Sequence, residues 1–276
     1  MNTRKFFTHT IVALAAALCP AVFGQEGSAK EEDVSFKFPN KGVRFVICSP
    51  TNERLPSPLY AKVKDEYLPV SITSRAPSPR LAPNSEGNID FYESDPGPRS
   101  KETPFLRVPV PADLRNKSIC VVQPLPNRGG VGKILFFKEA TFPKGSSYIV
   151  NLSSSTLELV TSPTGKLEGE ETRTKIAPGA NKTSIAKDDS NVWGFISPGQ
   201  NKKLMFSLSA LPASGAKSSA PVRIKSSVIM TNTKNTQVSF VVEHPTLKGT
   251  FRILSIQYAD LEKIKPAPPG KAPGKP

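Results

Sequence analysis

The chain has 276 residues and carries 37 Lys and Arg against 23 Asp and Glu, a formal charge of +14. Its length allows one large or two ordinary domains with real cores, while 28 Pro, 18 Gly and no long helical periodicity suit many short strands. No stretch reaches the roughly 20 apolar residues a membrane helix needs, so no membrane span is expected.

In chain order, Arg4 and Lys5 precede an apolar run from Ile11 to Leu18, and Val22-Phe23-Gly24 precedes Gln25. This pattern is that of a secretory signal over residues 1–24 and predicts an exported, periplasmic or extracellular protein. Cys19 invites a lipoprotein reading, but Leu18 stands where processing requires a small side chain. Arg4 and Lys5 are the charges within the signal, so the basic excess persists without it. That excess is spread thinly, which fits a solvated basic surface and also attraction to anionic polymers.

Residues 25–32 read as a flexible leader, 33–139 as a Pro-rich β module, 140–259 as a β-sandwich and 260–276 as a disordered Pro/Lys-rich tail. In the first module Val34, Phe36 and Phe38 alternate with polar residues, and Val43, Phe45 and Ile47 repeat the pattern, so the two are expected to pair as a hairpin. Short strands follow near 59–63, 67–73 and 89–93, with an edge strand at 105–110 because Pro109 and Pro111 lack donors. Stronger strands lie at 118–125 and 133–137.

In the second module, Tyr148, Val150 and Leu152 alternate along one face, a hydroxyl-rich corner follows, and Leu157 and Leu159 resume the alternation. The expectation there is a hairpin forming the spine of the sandwich. Further strands are expected at 172–176, 183–186, 192–196, 204–208, 222–230, 238–242 and 251–258, with one helical turn at 259–264. The fold class is therefore all-β, in two β-rich modules. The second is an immunoglobulin-like antiparallel sandwich of about seven strands.

Candidate chemistry is sparse. Past the signal the one histidine is His244, too few for a His-rich metal site, and there is no Gly-x-Ser-x-Gly elbow. The run Asn127 to Lys133 fails as a phosphate loop, having Asn127 for the first glycine and Ile134 for the Ser or Thr, and reads as a hairpin turn. Asp188-Asp189-Ser190-Asn191 is the least poor calcium candidate. No catalytic, cofactor-binding or metal residues are assigned.

Cys48 and Cys120 each sit in a predicted strand and permit a disulfide, with two buried thiols as the alternative. For sugar recognition, Trp193, Tyr60, Tyr67 and Tyr92 supply aromatic platforms, although a single tryptophan in a sandwich is usually core. Phe136-Phe137 and the charge would suit nucleic acid, but export removes that ligand, and no nucleic-acid partner is expected.

At Phe142-Pro143-Lys144-Gly145, at Tyr148 to Ser153 and at Ile176-Ala177-Pro178-Gly179, the chain resembles a group of secreted bacterial β-sandwich proteins of unassigned function. A Phe-Pro-x-Gly turn, an Asn-Leu-Ser strand end and a Pro-Gly turn recur there in this order, and the likeness covers roughly residues 133–258. The resemblance implies export and a sandwich, and assigns no site. The expectation is a non-catalytic envelope or extracellular module that recognises a protein partner or an anionic polysaccharide. The alternative is a secreted glycan-active hydrolase with an unrecognised carboxylate site.

Overall fold

The structure, a computed structural model, describes residues 38–97, 102–125, 130–143, 145–163, 171–196, 203–212, 220–230 and 235–258. The expected signal, the leader, most of the first strand from Val34, the helical turn at 259–264 and the tail lie outside the described residues. Every other strand expected from the sequence forms. The first seven are β1 (Val43–Ile47), β2 (Leu59–Val63), β3 (Glu66–Val70), β4 (Asn88–Tyr92), β5 (Leu106–Pro109), β6 (Ser118–Pro124) and β7 (Val131–Lys138). After a single-turn helix at Glu139–Thr141 come β8 (Ser147–Asn151), β9 (Leu157–Pro163), β10 (Thr172–Ile176), β11 (Ser184–Ile185) and β12 (Trp193–Ile196). The last four are β13 (Lys203–Ala210), β14 (Val222–Met230), β15 (Thr236–Glu243) and β16 (Phe251–Tyr258).

These strands make four sheets: sheet I in the order β3-β2-β4-β5, sheet II β1-β6-β7-β11, sheet III β12-β8-β15-β16 and sheet IV β10-β9-β13-β14. Three apolar cores separate them. The first joins Leu59, Phe91 and Val108 of sheet I to Phe45, Cys120 and Phe136 of sheet II. The second joins Val46, Ile119 and Phe137 of sheet II to Tyr148, Val150 and Phe240 of sheet III. The third joins Ile149, Ile196 and Val241 of sheet III to Leu159, Phe206 and Leu208 of sheet IV. The fold is all-β and sandwich-like, with sheets II and III covered on both faces and sheets I and IV outermost.

The sequence dictates which layer each strand can occupy. A strand with solvent on one face alternates, as β5 does with Leu106 and Val108 buried and Arg107 and Pro109 exposed. A strand covered on both faces is buried along its length and largely apolar. Ser147–Asn151 is buried at all five positions, and in β6 only Gln123 escapes full burial. Sheets III and IV together hold eight strands, antiparallel except where β8 runs parallel to β15. Two more parallel pairs, β1 with β6 and β7 with β11, complete sheet II.

The Pro-rich stretch after β3 does not pair as a full strand. It lies along the open edge of β1, with Val43 and Leu81 exchanging two backbone hydrogen bonds of 2.9 Å, Ser78 N donating to Phe45 O, and Ile47 N donating to Thr73 O. The Ser78 hydroxyl accepts from Phe45 N at 2.9 Å, so β1 is shielded as an edge by a segment that lacks donors for a regular ladder. Arg80 in this strap is 7% exposed and holds Glu139 by two parallel bonds of 2.6 and 2.8 Å, tying it to the turn after β7.

Two expectations need correction. The stretch from Tyr148 to Leu159 is not a hairpin, because β8 belongs to sheet III and β9 to sheet IV, and each pairs with other strands. The chain arches across the third core instead, and Asn151, fully buried, builds the corner. Its amide nitrogen donates to the carbonyls of Ser155 (2.8 Å), Ala177 (3.0 Å) and Ile176 (3.3 Å). Its carbonyl oxygen accepts from the Ser153 amide (3.0 Å) and hydroxyl (2.7 Å). Alternation alone cannot tell an arch from a hairpin, since both reverse the chain with the same period.

The second correction concerns the disulfide. Cys48 and Cys120 are free, buried thiols. Strand β1 pairs with β6 in the register Phe45 to Cys120 and Ile47 to Val122, and the Cys48 amide donates to Val122 O. Cys120 thus shares the parity of Phe45 and enters the first core, while Cys48 has the opposite parity and enters the second. Two cysteines on opposite faces of one sheet cannot bond.

Candidate functional site

The outward face of sheet I carries the chemistry. In β2, Leu59, Ala61 and Val63 point to the first core, which turns Tyr60 and Lys62 outward. The same parity turns Tyr67 and Pro69 outward on β3, Asn88, Asp90 and Tyr92 on β4, and Arg107 and Pro109 on β5. Register then assembles the face: Tyr60 lies between Pro69 and Tyr92, Lys62 faces Tyr67, and Asp90 faces Arg107.

Three tyrosines from three neighbouring strands thereby form one half-buried group. Tyr67 and Tyr92 meet edge to face, with centroids 5.4 Å apart and planes at 88°. This geometry leaves one ring presenting its face beside the edge of the other. Burial, with Tyr67 and Asp90 close by, raises the Tyr92 hydroxyl above its ordinary value, so it remains a neutral hydrogen-bonding group. Arg107 holds Asp90 through bonds of 2.7 and 3.3 Å.

Of the four aromatics singled out in the sequence, this face gathers Tyr60, Tyr67 and Tyr92 and excludes Trp193. Trp193 is on β12 in sheet III, half-buried against the second core, edge-on to Phe142 (5.7 Å, 85°) and near Tyr148 (5.4 Å, 69°). Its indole nitrogen is buried with no hydrogen-bond partner among the described residues. Lys62, Pro69, Asp90 and Arg107 were not singled out, though the period of two that selects the tyrosines selects them too.

The remaining candidates have structural partners. The His244 Nδ1 accepts backbone amides of Thr246 (3.3 Å) and Leu247 (3.2 Å), closing the loop between β15 and β16. Asp189 receives Lys182 at 2.6 Å and the Ala186 amide at 2.9 Å, contacts that hold its carboxyl below the usual range. Among the described residues no three His, Cys, Asp or Glu side chains group closely enough to hold a metal ion. Strands β6 and β7 pair antiparallel, residues 126–129 of the turn expected between them lie outside the described residues, and Lys133, at the end of the failed phosphate motif, donates its ammonium to the carbonyls of Gly179 (3.4 Å) and Ala180.

No model of a known protein family matches this chain, and no curated protein does.

Proposed function

We propose that the protein is a non-catalytic, exported binding module of the envelope or extracellular space, and that the tyrosine face of sheet I recognises an anionic polysaccharide. The observation that carries this reading is the convergence of Tyr60, Tyr67 and Tyr92 on one solvent-facing sheet, with Lys62 among them. Sugar rings present C–H groups that rest on aromatic faces, and tyrosine adds a hydroxyl for hydrogen bonding. An open sheet face suits an extended chain rather than a small molecule. The overall positive charge favours a polymer bearing carboxylates or sulfates.

The test is calorimetric titration of the protein with acidic oligosaccharides and with neutral ones of equal length, alongside Tyr67→Ala and Tyr92→Ala. Each ring removed should cost about 0.5–1.5 kcal/mol, or roughly two- to tenfold in affinity. Lys62→Ala should weaken the acidic ligands and spare the neutral ones. Binding of acidic ligands that ignores all three substitutions would sink the proposal.

A further inference from the structure

The third core is not apolar along its whole length. On β15 the residues facing sheet IV run Gln237, Ser239, Val241, and on β16 they run Phe251, Ile253, Ser255, Gln257, so the register sets Ser239 against Ser255 and Gln237 against Gln257. Both pairs are hydrogen-bonded, at 2.7 and 3.4 Å. Ser147 on β8 stands beside Gln237, and Ser147 and Ser239 are only 7% and 4% exposed. On sheet IV the facing positions next to Phe206 and Leu208 are Ser227 and Lys225.

Polar residues therefore occupy one end of a file whose other end is apolar. There the two sheets part around a cleft of about 250 Å³. Valine or leucine at these positions would close the sandwich and bury more apolar surface. Lys225, Ser255 and Gln257 are exposed at the mouth, whereas Ser147 and Ser239 are buried inside it, and buried polar positions of this kind mark functional rather than folding requirements.

We propose that this cleft binds a small amphipathic carboxylate. Ile149, Phe206 and Ile253 line one part of it and supply an apolar bed. Gln237 supplies an amide donor and Ser227 and Ser239 supply hydroxyls, and Lys225 supplies a cation where no described lining residue is acidic. A cleft of this size suits a short acyl or aryl carboxylate. The site is on the opposite side of the sheet stack from the tyrosine face and does not depend on it.

The experiment is titration of the full chain with octanoate and phenylacetate, followed by amide NMR shifts and calorimetry, with octylamine and octanol as controls. Saturable one-to-one binding of a carboxylate is expected, with shifts centred on Ser227, Gln237 and Ser239 and weakening with salt. Lys225→Ala, at an exposed position, should reduce affinity about tenfold and remove the salt dependence. Ser227→Leu should obstruct the cleft and abolish binding. Tyr67→Ala and Tyr92→Ala should leave it unchanged, which separates this site from the polysaccharide face. The inference is overturned if neither carboxylate saturates, if octylamine binds equally well, if both cleft substitutions are without effect, or if the tyrosine substitutions abolish binding.

Discussion

Replacing Asn151 by alanine should be among the most damaging single changes in the protein. The side chain is fully buried and its amide nitrogen serves three carbonyls, at 2.8, 3.0 and 3.3 Å, with two protons. Its oxygen takes two more bonds from Ser153. Counting the shared proton once leaves four effective hydrogen bonds, and at about 1 kcal/mol each the loss is roughly 4 kcal/mol. That is a large part of the ~5–15 kcal/mol by which a domain is stable, and it corresponds to a fall in Tm of about 8–16 °C. Urea unfolding followed by circular dichroism should show the midpoint falling with its slope unchanged. A change below about 1 kcal/mol would mean that the corner is held by something else.

Asn151→Asp refines the test, because it keeps the shape and replaces the donor with an acid. A carboxylate facing three carbonyls is disfavoured, so its folded pKa rises above the unfolded value of about 3.9. Below that value both states are protonated and the acid is tolerated best. As pH rises toward the folded pKa the folded state alone retains the proton, so the variant loses stability relative to wild type and then levels off. A penalty independent of pH between about 3 and 8 would refute the geometry.

Gly179 and Gly194 should respond differently to alanine. A methyl at 179 would overlap the Asn151 carbonyl oxygen, a backbone atom, whereas one at 194 meets the side-chain tips of Ile176 and Leu159 at 2.6 and 2.8 Å. Thermal melts should show Gly179→Ala costing about 2–3 kcal/mol and Gly194→Ala about 1 kcal/mol. Glu139→Ala leaves the buried Arg80 guanidinium without its carboxylate and should cost about 3 kcal/mol, and a double-mutant cycle with Arg80→Ala should return most of that as coupling. Burial pushes the Cys48 thiol up to about 12 and Cys120 well above its usual range, while unfolded thiols ionise near ~8.5. The folded state alone keeps those protons above that point, so the contribution is complete below about pH 8 and is lost as pH rises through the folded values. Cys48→Ala/Cys120→Ala should flatten that alkaline decline in urea titrations, and non-reducing mass analysis of wild type should find two free thiols.

The strands were legible because local alternation and turn residues depend on near neighbours, and β2, β10, β14 and β16 fall where the pattern puts them. Layering was less legible. Val46 and Cys48 read as the outward side of β1, yet they are apolar and fill a second core, and a strand apolar on both faces is the signature of an inner sheet. Sheet partnership was not legible at all for β8 and β9, because the choice between hairpin and arch rests on a side chain whose partners lie up to 26 residues away. The tyrosine site followed the same division. Residue type nominated the aromatics, and only strand parity and register separated the three that meet from the tryptophan that does not.

The two outer faces then provide an internal comparison. Sheets I and IV both turn one face to solvent. On sheet IV that face carries Ser207 and Ser209, Arg173 paired to Glu158 and Glu171 at 3.6 and 3.0 Å, and Met205 facing Val228, both about half exposed but with no aromatic ring among them. On sheet I the equivalent positions carry three tyrosines and two prolines, with one arginine committed to Asp90. Solvation does not favour half-exposed rings over serines, and the first core is already filled by the opposite face. The rings are therefore surplus to folding. Replacing Tyr67 and Tyr92 together by serine should cost about 1–2 kcal/mol, the worth of their mutual edge contact and part-burial, while weakening polysaccharide binding. A loss of several kcal/mol on unfolding would instead make the rings part of the scaffold and remove the argument for a binding face.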